Sequence, residues 1–436
     1  MAAPEVAAPG HSGRRLLKDS VASLLDQGML SALNLALGLV LIRLTAKENY
    51  GLYAQLYVAG ILVGTLIEAL ITAPLTTLAP GLSDERRRAF ISHLDHYQRR
   101  LSAVLAIISG AIAGGVVAFW QLDTHPVALG FAFAAYVWFG CLREFGRSVG
   151  FIEGRAVGVF YMDVWYAVAV TATIGVLAWL GWMNLPAVLL ALGFANLAAL
   201  SLRPMAGGKD GPGRAEAVGA VWQRGRWSLP GALMAWLTNY SYLYLTALWL
   251  GVAASADLNA SRLLLMPISL LVLAWSRVAR PHAVRLLRSR DMAALLRFTL
   301  LSVGGIELIT VVYSGLLWLM LPFLEAHVLG PKYSGLEPLV VAWGVYFVLY
   351  SARWIGTSLL TSGDRYRMLL VSAVMCLVVM VVAASYALPR WGAWGAVAAL
   401  AVVELIDVML VWLVLLPRVH RDLVLDSQLA IDSRMP

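Results

Sequence analysis

Charged side chains and cysteines are both scarce in this chain. Charged residues make up 13% of its 436 residues and hydrophobic residues 60%, whereas soluble domains hold about 25% charged residues. The two cysteines, Cys141 and Cys376, fall inside long apolar segments, which argues against a disulfide framework or a metal-thiolate site. The sequence also lacks a P-loop, a CxxC pair and an HExxH motif. It therefore offers none of these signatures of nucleotide, redox or zinc-hydrolase chemistry.

Long apolar segments dominate the chain instead. A membrane span needs about 20 mostly apolar residues. Segments of that kind lie near 20–43, 51–79, 101–121, 125–143, 158–181, 184–202, 227–251, 257–282, 298–323, 336–360, 366–388 and 392–417. This pattern predicts an all-α polytopic membrane protein with about twelve transmembrane helices.

Positive charge is distributed unevenly among the connections between these segments. Every second connection, together with both termini, holds most of the 33 Lys and Arg residues. Loops rich in Lys and Arg stay on the cytoplasmic side, so we predict that both termini are cytoplasmic. The net charge of +8 then reflects orientation and attraction to anionic lipid head groups. Nucleic acid is not a predicted partner.

The connections also predict how the chain is organised. The longest of them is Gly-rich (GGKDGPG) and cytoplasmic in this topology. The predicted parts are a disordered cytoplasmic tail at 1–19, a six-helix lobe at 20–202, a linker at 203–226, a second six-helix lobe at 227–417 and a cytoplasmic tail at 418–436. All outward connections are short, which disfavours a membrane glycosyltransferase with a catalytic outward domain. We therefore predict that the protein is not an enzyme.

The two halves show signs of an internal duplication. Asn34 in the first segment matches Asn239 in the seventh, and Pro74 at the end of the second matches Pro281 at the end of the eighth. Six spans is an even number, so both halves have the same orientation, and the implied pseudo-two-fold axis runs along the membrane normal. Two pseudo-symmetric lobes of this kind would meet at a central cleft that passes a substrate across by alternating access.

Several stretches resemble one family of membrane proteins. They are SLLDQGMLSALNLALGLVLIRL at 23–44, NYGLYAQLYV at 49–58, LREFGRSVGFIEGR at 142–155, VLGPKYSGLEPLV at 328–340, SLLTSGDRYRM at 358–368 and WGAWGAVAALAVVEL at 391–405. In order along the whole chain they resemble the bacterial polysaccharide/oligosaccharide-lipid flippases of the multidrug/oligosaccharidyl-lipid/polysaccharide exporter superfamily. The resemblance implies transfer of undecaprenyl-diphosphate-linked oligosaccharides from the inner to the outer leaflet. It assigns no functional residue to a numbered position.

Ionisable groups inside a span usually face a cavity or a partner, and Arg353 is the cation that the sequence places well inside one. Its planar, permanently charged guanidinium suits a lipid diphosphate. The alternative is an ion pair with Glu404 or Asp407, and the two roles can coexist. Arg277, near the inner end of the eighth segment, mainly signals topology but could also meet a diphosphate that enters from the inner leaflet.

Four acidic residues are candidates for a coupling ion, either a proton or Na⁺. Asp26 and Glu68 lie in the inner halves of the first two segments, and hydrogen bonding between helices is the alternative explanation for them. Glu404 and Asp407 are three residues apart and share a helix face, so they form a second candidate cation site. No cofactor other than this ion, and no metal site, is predicted.

The seventh segment carries an aromatic face. Trp236, Tyr240 and Tyr244 are spaced by four residues, with Asn239 beside them. Such a face could stack on sugar rings and hydrogen-bond to them. Ordinary helix packing is the alternative.

Together these features predict a flippase of the bacterial inner membrane that serves the biosynthesis of a lipopolysaccharide or exopolysaccharide. Its partners would be a polyprenyl-diphosphate-linked glycan, the bilayer, and polymerase or assembly proteins. Two other functions stay open: a cation-coupled multidrug antiporter of the same superfamily, and a non-transporting membrane subunit of a polysaccharide synthase. The sign of charge in the central cavity would separate the flippase from the antiporter.

Overall fold

The computed structural model describes residues 9–203, 213–289, 292–362 and 366–417, and every regular element in these ranges is a helix. The α-helices are α1 Pro9–Leu44, α2 Lys47–Ile67, α3 Ala73–Leu78, α4 Asp84–Phe119, α5 Pro126–Ile152, α6 Ala156–Leu180, α7 Leu185–Ala199, α8 Arg214–Leu250, α9 Val252–Ser289, α10 Met292–Leu324, α11 Glu337–Ser362 and α12 Tyr366–Met409. Ten helical stretches of this described part are long and apolar enough to cross a membrane. The predicted all-α polytopic class is confirmed.

The second predicted span consists of α2 and α3 in sequence. A π-helical turn, Glu68–Thr72, joins the two helices directly before Pro74. Proline has no backbone N–H to donate, so an irregular turn of the helix accompanies it. The span continues through this turn without a break.

The long helix α12 contains the last two predicted spans. Its 44 residues would measure about 66 Å as one straight helix, roughly twice the hydrocarbon thickness of a bilayer. The helix is interrupted at Gly392, whose φ of 60° and ψ of −146° form a conformation that glycine adopts without strain. The predicted spans at 366–388 and 392–417 therefore meet at this glycine.

Several helices extend well beyond their predicted spans. α4 begins at Asp84 and α8 at Arg214, and α5 ends only at Ile152. The added turns carry charged residues. Hydropathy therefore made the predicted spans shorter than the helices that contain them.

The predicted tails and linker overlap only partly with described residues. α1 begins at Pro9, inside the tail that was predicted to be disordered, and α8 begins inside the predicted linker. Residues 204–212 and the C-terminal tail at 418–436 lie outside the described part. The boundaries of the predicted lobes stay a prediction.

The contacts of the chain divide into two compact units. The N-unit comprises Met1–Val40 and Leu56–Leu233, and the C-unit comprises Leu41–Gln55 and Met234–Pro436. The helices α1, α2 and α8 each contribute residues to both units.

Glycines bring α4 and α5 of the N-unit into direct backbone contact. A Cβ atom on Gly110 would collide with the carbonyl oxygen of Gly130, and a Cβ on Gly130 would lie 2.7 Å from the carbonyl oxygen of Gly110. Small residues at such crossings are typical of helix packing in membranes. This packing fixes the position of α5, which carries most of the charged residues of the N-unit cluster described below.

A polar cluster in the C-unit holds the connection between α1 and α2. Lys47 forms an ion pair of 2.7 Å with Asp257, and its ammonium lies 5.4 Å from the ring centroid of Tyr333. Asn259 donates a hydrogen bond of 2.8 Å to the hydroxyl of Tyr50. Burial raises the pKa of the Tyr333 phenol, so that hydroxyl stays neutral beside the lysine.

Candidate functional site

One arginine links three carboxylates in the N-unit. The guanidinium of Arg147, on α5, lies 2.8 Å from Asp26, 2.7 Å from Asp163 and 2.8 Å from Glu144. Asp26 on α1 and Asp163 on α6 are 2% and 0% exposed. Three helices are therefore joined through one planar cation, which has donors enough for several acceptors at once.

A second arginine of α5 completes this cluster. Arg143 donates a hydrogen bond of 3.0 Å to Glu144 and stacks 3.7 Å from the ring centroid of Tyr166. Its Nη1 lies 3.8 Å from Asp163, beyond hydrogen-bond reach. Its Nε has no hydrogen-bond partner among the described residues. We name Asp26, Arg143, Glu144, Arg147 and Asp163 the N-cluster.

Sequence reasoning missed most of the N-cluster. It ended the fourth span at residue 143 and so placed Arg147 in a cytoplasmic connection, whereas α5 continues to Ile152. Arg353 was predicted to be the one cation well inside a span, and its depth relative to that of Arg143 and Arg147 stays a prediction. The available signal was the spacing of two arginines four residues apart on one helix face, with Asp163 inside the next apolar segment.

The predicted coupling acids of the N-terminal half have different surroundings. Asp26 is paired with Arg147 and adjoins Asp163, so its neighbours are ionic. Glu68 is exposed at the π-helical turn, and the nearby carboxylate of Glu144 repels it. Whether either residue binds a coupling ion stays a prediction.

In the C-unit, Arg353 on α11 is paired with both acids of α12. It donates to Glu404 from Nε and, over 3.2 Å, from Nη2, and its Nε lies 3.6 Å from Asp407. Asp407 also accepts a hydrogen bond from Ser372. The ion pair that the sequence offered as an alternative is therefore formed, and both carboxylates of the second candidate cation site are engaged.

Arg262 on α9 has no such partner. Among the described residues, no carboxylate lies within 4.0 Å of its guanidinium, which donates a hydrogen bond of 2.9 Å to the hydroxyl of Tyr242. Its Cζ atom lies 5.6 Å from the ring centroid of Trp343 and 5.7 Å from that of Tyr240. Arg262 is ten residues into α9, about 15 Å from the start of that helix. Aromatic rings surround its guanidinium at this position.

The predicted aromatic face of the seventh span is present. The ring centroid of Trp236 lies 6.0 Å from that of Tyr240 and 5.8 Å from that of Tyr244. The hydroxyl of Tyr244 donates to the carbonyl oxygen of Gln55, and the amide of Asn239 donates to its own helix. The side chain of Arg277 lies outside the described part of the structure. Sugar or diphosphate binding by these residues stays a prediction.

Comparisons with known proteins identify the fold. No family model and no curated protein sequence matches the chain. Among solved structures, it is similar to the lipid II flippase MurJ in an inward closed conformation, with a TM-score of 0.71 and 10% identity over 96% of this chain and 93% of MurJ. It is also similar to an inward-facing multidrug resistance MATE family transporter of the MOP superfamily, with a TM-score of 0.69 and 13% identity over 87% of this chain and 92% of that one.

A third similar structure is a MOP superfamily transporter from Pyrococcus furiosus. Its TM-score is 0.61, with 14% identity over 92% of this chain and 94% of that one. At such low identities the likeness establishes the fold. The chain is a multi-pass membrane protein with the fold of MATE and MurJ transporters.

Proposed function

We propose that the protein transfers a polyprenyl-diphosphate-linked oligosaccharide across the bacterial cytoplasmic membrane by alternating access. The MOP-type fold supports a transporter, and MurJ shows that a chain of this fold can act on a lipid-linked substrate. The glycan class comes from the resemblance to polysaccharide flippases along the whole chain. The substrate would be a repeat unit of a lipopolysaccharide or exopolysaccharide, delivered to polymerase or assembly proteins.

Arg262 is the observation that carries this proposal. A cation within a span is costly unless it is paired, and Arg262 has rings and one hydroxyl around it where Arg353 has two carboxylates. A diphosphate would supply the missing negative charge through charge-assisted hydrogen bonds to the guanidinium. We therefore propose that Arg262 binds the diphosphate and that Arg353 stabilises the packing of α11 against α12.

The proposal is tested by deleting the gene in its host and measuring lipid-linked glycan. Deletion should cause the glycan to accumulate in the inner leaflet, and the wild-type gene should restore export. Arg262→Gln should lower export about 10- to 100-fold, as expected when one charge-assisted contact is lost, and Arg262→Lys should be partly active.

Arg390 offers a matched control for this variant. Its guanidinium lies 3.8 Å from the ring centroid of Tyr386 at an exposed position. Arg390→Gln therefore also removes a contact between a guanidinium and a tyrosine ring. Export should stay normal in Arg390→Gln. Normal export by Arg262→Gln, or a deletion strain without accumulated glycan, would contradict the proposed function.

We further propose that the N-cluster couples transport to a proton or to Na⁺. Its three carboxylates outnumber its two guanidiniums, so one added cation makes the N-cluster neutral. Asp26 and Asp163 adjoin each other and can share a proton, and Glu68 lies beside Glu144 at the edge of the cluster. We propose that Glu404 and Asp407 serve as ion-pair partners of Arg353 and not as a second cation site.

The coupling proposal predicts a loss of driving force with the protein intact. Asp26→Asn combined with Glu68→Gln should reduce export and make the remainder insensitive to collapse of the proton or sodium gradient. Membrane levels should stay normal, because the amide oxygen introduced by Asp26→Asn still accepts a hydrogen bond from Arg147. If the double variant exports at the wild-type rate and still depends on the gradient, these acids have no part in coupling.

One observation favours the antiporter of cationic drugs as a second candidate. The N-cluster has an excess of negative charge, and tyrosines lie beside it, which suits a lipophilic cation. Ethidium resistance in a drug-sensitive host separates the functions. Two results together would favour the antiporter. The wild-type protein, but not Asp26→Asn, would raise ethidium resistance, and the deletion strain would accumulate no glycan.

The proposed orientation follows from the distribution of Lys and Arg. Both termini would be cytoplasmic, and the turn before Pro126 would be outside. Alkaline phosphatase fusions should be active after Asp123 and inactive after Phe90. Strong activity after Phe90 would reverse the orientation.

A further inference from the structure

The N-unit contains a cavity that neither the ion pairs nor the helix packing fills. Its volume is about 320 Å³, and it is lined by residues of α1, α2, α5, α6 and α7. This is near the lower limit of small-molecule sites, which measure about 300–1,000 Å³. The arginines and Glu144 of the N-cluster line one side, whereas Asp26 and Asp163 are not part of the lining.

Tyrosines, amides and a hydroxyl make up much of the remaining lining. Its polar members include Ser31, Asn34, Tyr57, Tyr136, Tyr166 and Asn196. Tyrosine combines an apolar ring face with a polar hydroxyl, and an amide both donates and accepts hydrogen bonds. Sugars need both kinds of surface, because their C–H faces pack on rings while their hydroxyls donate and accept.

Glu144 supplies an acceptor in this lining. Its side chain is 54% exposed, and Arg143 donates a hydrogen bond of 3.0 Å to one of its oxygens. A carboxylate accepts several hydrogen bonds. A hydroxyl group in the cavity can therefore donate to Glu144 while Arg143 keeps its own bond to that carboxylate.

The charge of the N-cluster decides which part of a lipid-linked glycan fits here. With three carboxylates against two guanidiniums the cluster has no positive excess, so a diphosphate in the cavity would meet net repulsion. We propose that this cavity binds a neutral sugar residue of the transported glycan. The inference rests on the proposed function and deepens it, since it names the part of the substrate that the cavity of the N-unit would hold.

Thiol protection tests which part of the substrate enters the cavity. The chain has two cysteines, so Cys141→Ser with Cys376→Ser gives a cysteine-free background. Into it we would introduce Ser31→Cys in the cavity lining or, as a control, Ser83→Cys at an exposed turn. A water-soluble methanethiosulfonate reagent reports the access of each thiol in purified protein.

Three probes come from the deletion strain: its extracted lipid-linked glycan, the glycan released by hydrolysis of the bond between sugar and phosphate, and the lipid diphosphate left behind. The intact and released glycans should slow labelling of Ser31→Cys at least tenfold, while the lipid diphosphate should not. Labelling of Ser83→Cys should be unchanged by all three. Protection by the lipid diphosphate alone, by tetraphenylphosphonium alone, or by none of the probes would overturn the proposal.

Filling the cavity provides a second, independent test. A Cβ on Gly64 meets no atom within 4 Å, and Gly64 lines the cavity, so Gly64→Leu adds bulk there from an unobstructed Cβ position. Gly115 on α4 is equally free of neighbours and is exposed, so Gly115→Leu is the matched control. At equal membrane levels, Gly64→Leu should lower export at least tenfold and Gly115→Leu should not.

The two proposals fail in different ways. Absence of accumulated glycan in the deletion strain would refute the proposed function. Accumulation together with normal export by Gly64→Leu would refute the sugar site alone. In that case the Arg262→Gln variant would still show reduced export.

Discussion

The N-unit and the C-unit both bury arginines, but they balance the charge differently. In the N-unit, the arginines of α5 are surrounded by three carboxylates. In the C-unit, Arg353 has two carboxylates, whereas the described surroundings of Arg262 are aromatic. A cluster with an excess of carboxylates can respond to one proton or metal cation, and an arginine without a carboxylate can respond to an anion. The difference therefore separates a candidate coupling group from a candidate substrate group.

Removal of the central cation of the N-cluster should have the largest effect. Arg147→Ala leaves Asp26 and Asp163 buried without their shared partner, which costs about 3–5 kcal/mol when a buried pair is broken. We expect little protein in the membrane. Replacing both aspartates with asparagine in the same variant should restore most of the level, measured by immunoblot and by thermal unfolding in detergent. Equal levels of Arg147→Ala and wild type would show that the N-cluster does not support the fold.

Arg353→Ala tests the corresponding pair of the C-unit. The loss should be near the lower end of about 3–5 kcal/mol, because Asp407 keeps its bond to Ser372 and both acids are more exposed than Asp26 and Asp163. Adding Glu404→Gln should rescue both membrane level and glycan export. If the membrane level of the double variant recovers but its glycan export does not, Arg353 would instead be a substrate-binding residue.

Helix contacts sharpen the comparison further. In the N-unit, Gly110 lies against the backbone of Gly130, whereas a Cβ on Gly304 of α10, in the C-unit, meets no atom within 4 Å. Gly110→Val should lower the stability by about 1–3 kcal/mol through overpacking, and Gly304→Val should leave it nearly unchanged. The melting temperatures of the two purified variants check this, and a larger shift for Gly304→Val would contradict the described packing.

The smallest effect is expected at Tyr242, which accepts the hydrogen bond of Arg262. Tyr242→Phe keeps the ring and removes only the hydroxyl, so the stability should fall by about 0.5–1.5 kcal/mol. Export should change little, because the anion assigned to Arg262 replaces the lost acceptor. A Tyr242→Phe variant with export as low as Arg262→Gln would show that the hydroxyl, and not the free charge of Arg262, matters.

Composition and charge distribution determined the class of this protein. Spans of about 20 apolar residues have few alternatives to membrane helices, so the all-α polytopic fold was predicted from the sequence alone. The periodic aromatic face of Trp236, Tyr240 and Tyr244 was also predicted, because residues four apart share a side of any helix. The pairing of Arg353 with the acids of α12 was one of two alternatives that the sequence left open.

Only the tertiary structure decided which charges meet. Hydropathy ended the fourth span at residue 143, because a charged turn of helix looks like a loop when its partners are unknown. Asp26, Arg147 and Asp163 lie on three helices, and nothing in their spacing along the chain links them. Likewise, the depth of Arg262 depends on where α9 begins and on the rings beside it, since a guanidinium can be held at depth only by side chains that the fold brings to it.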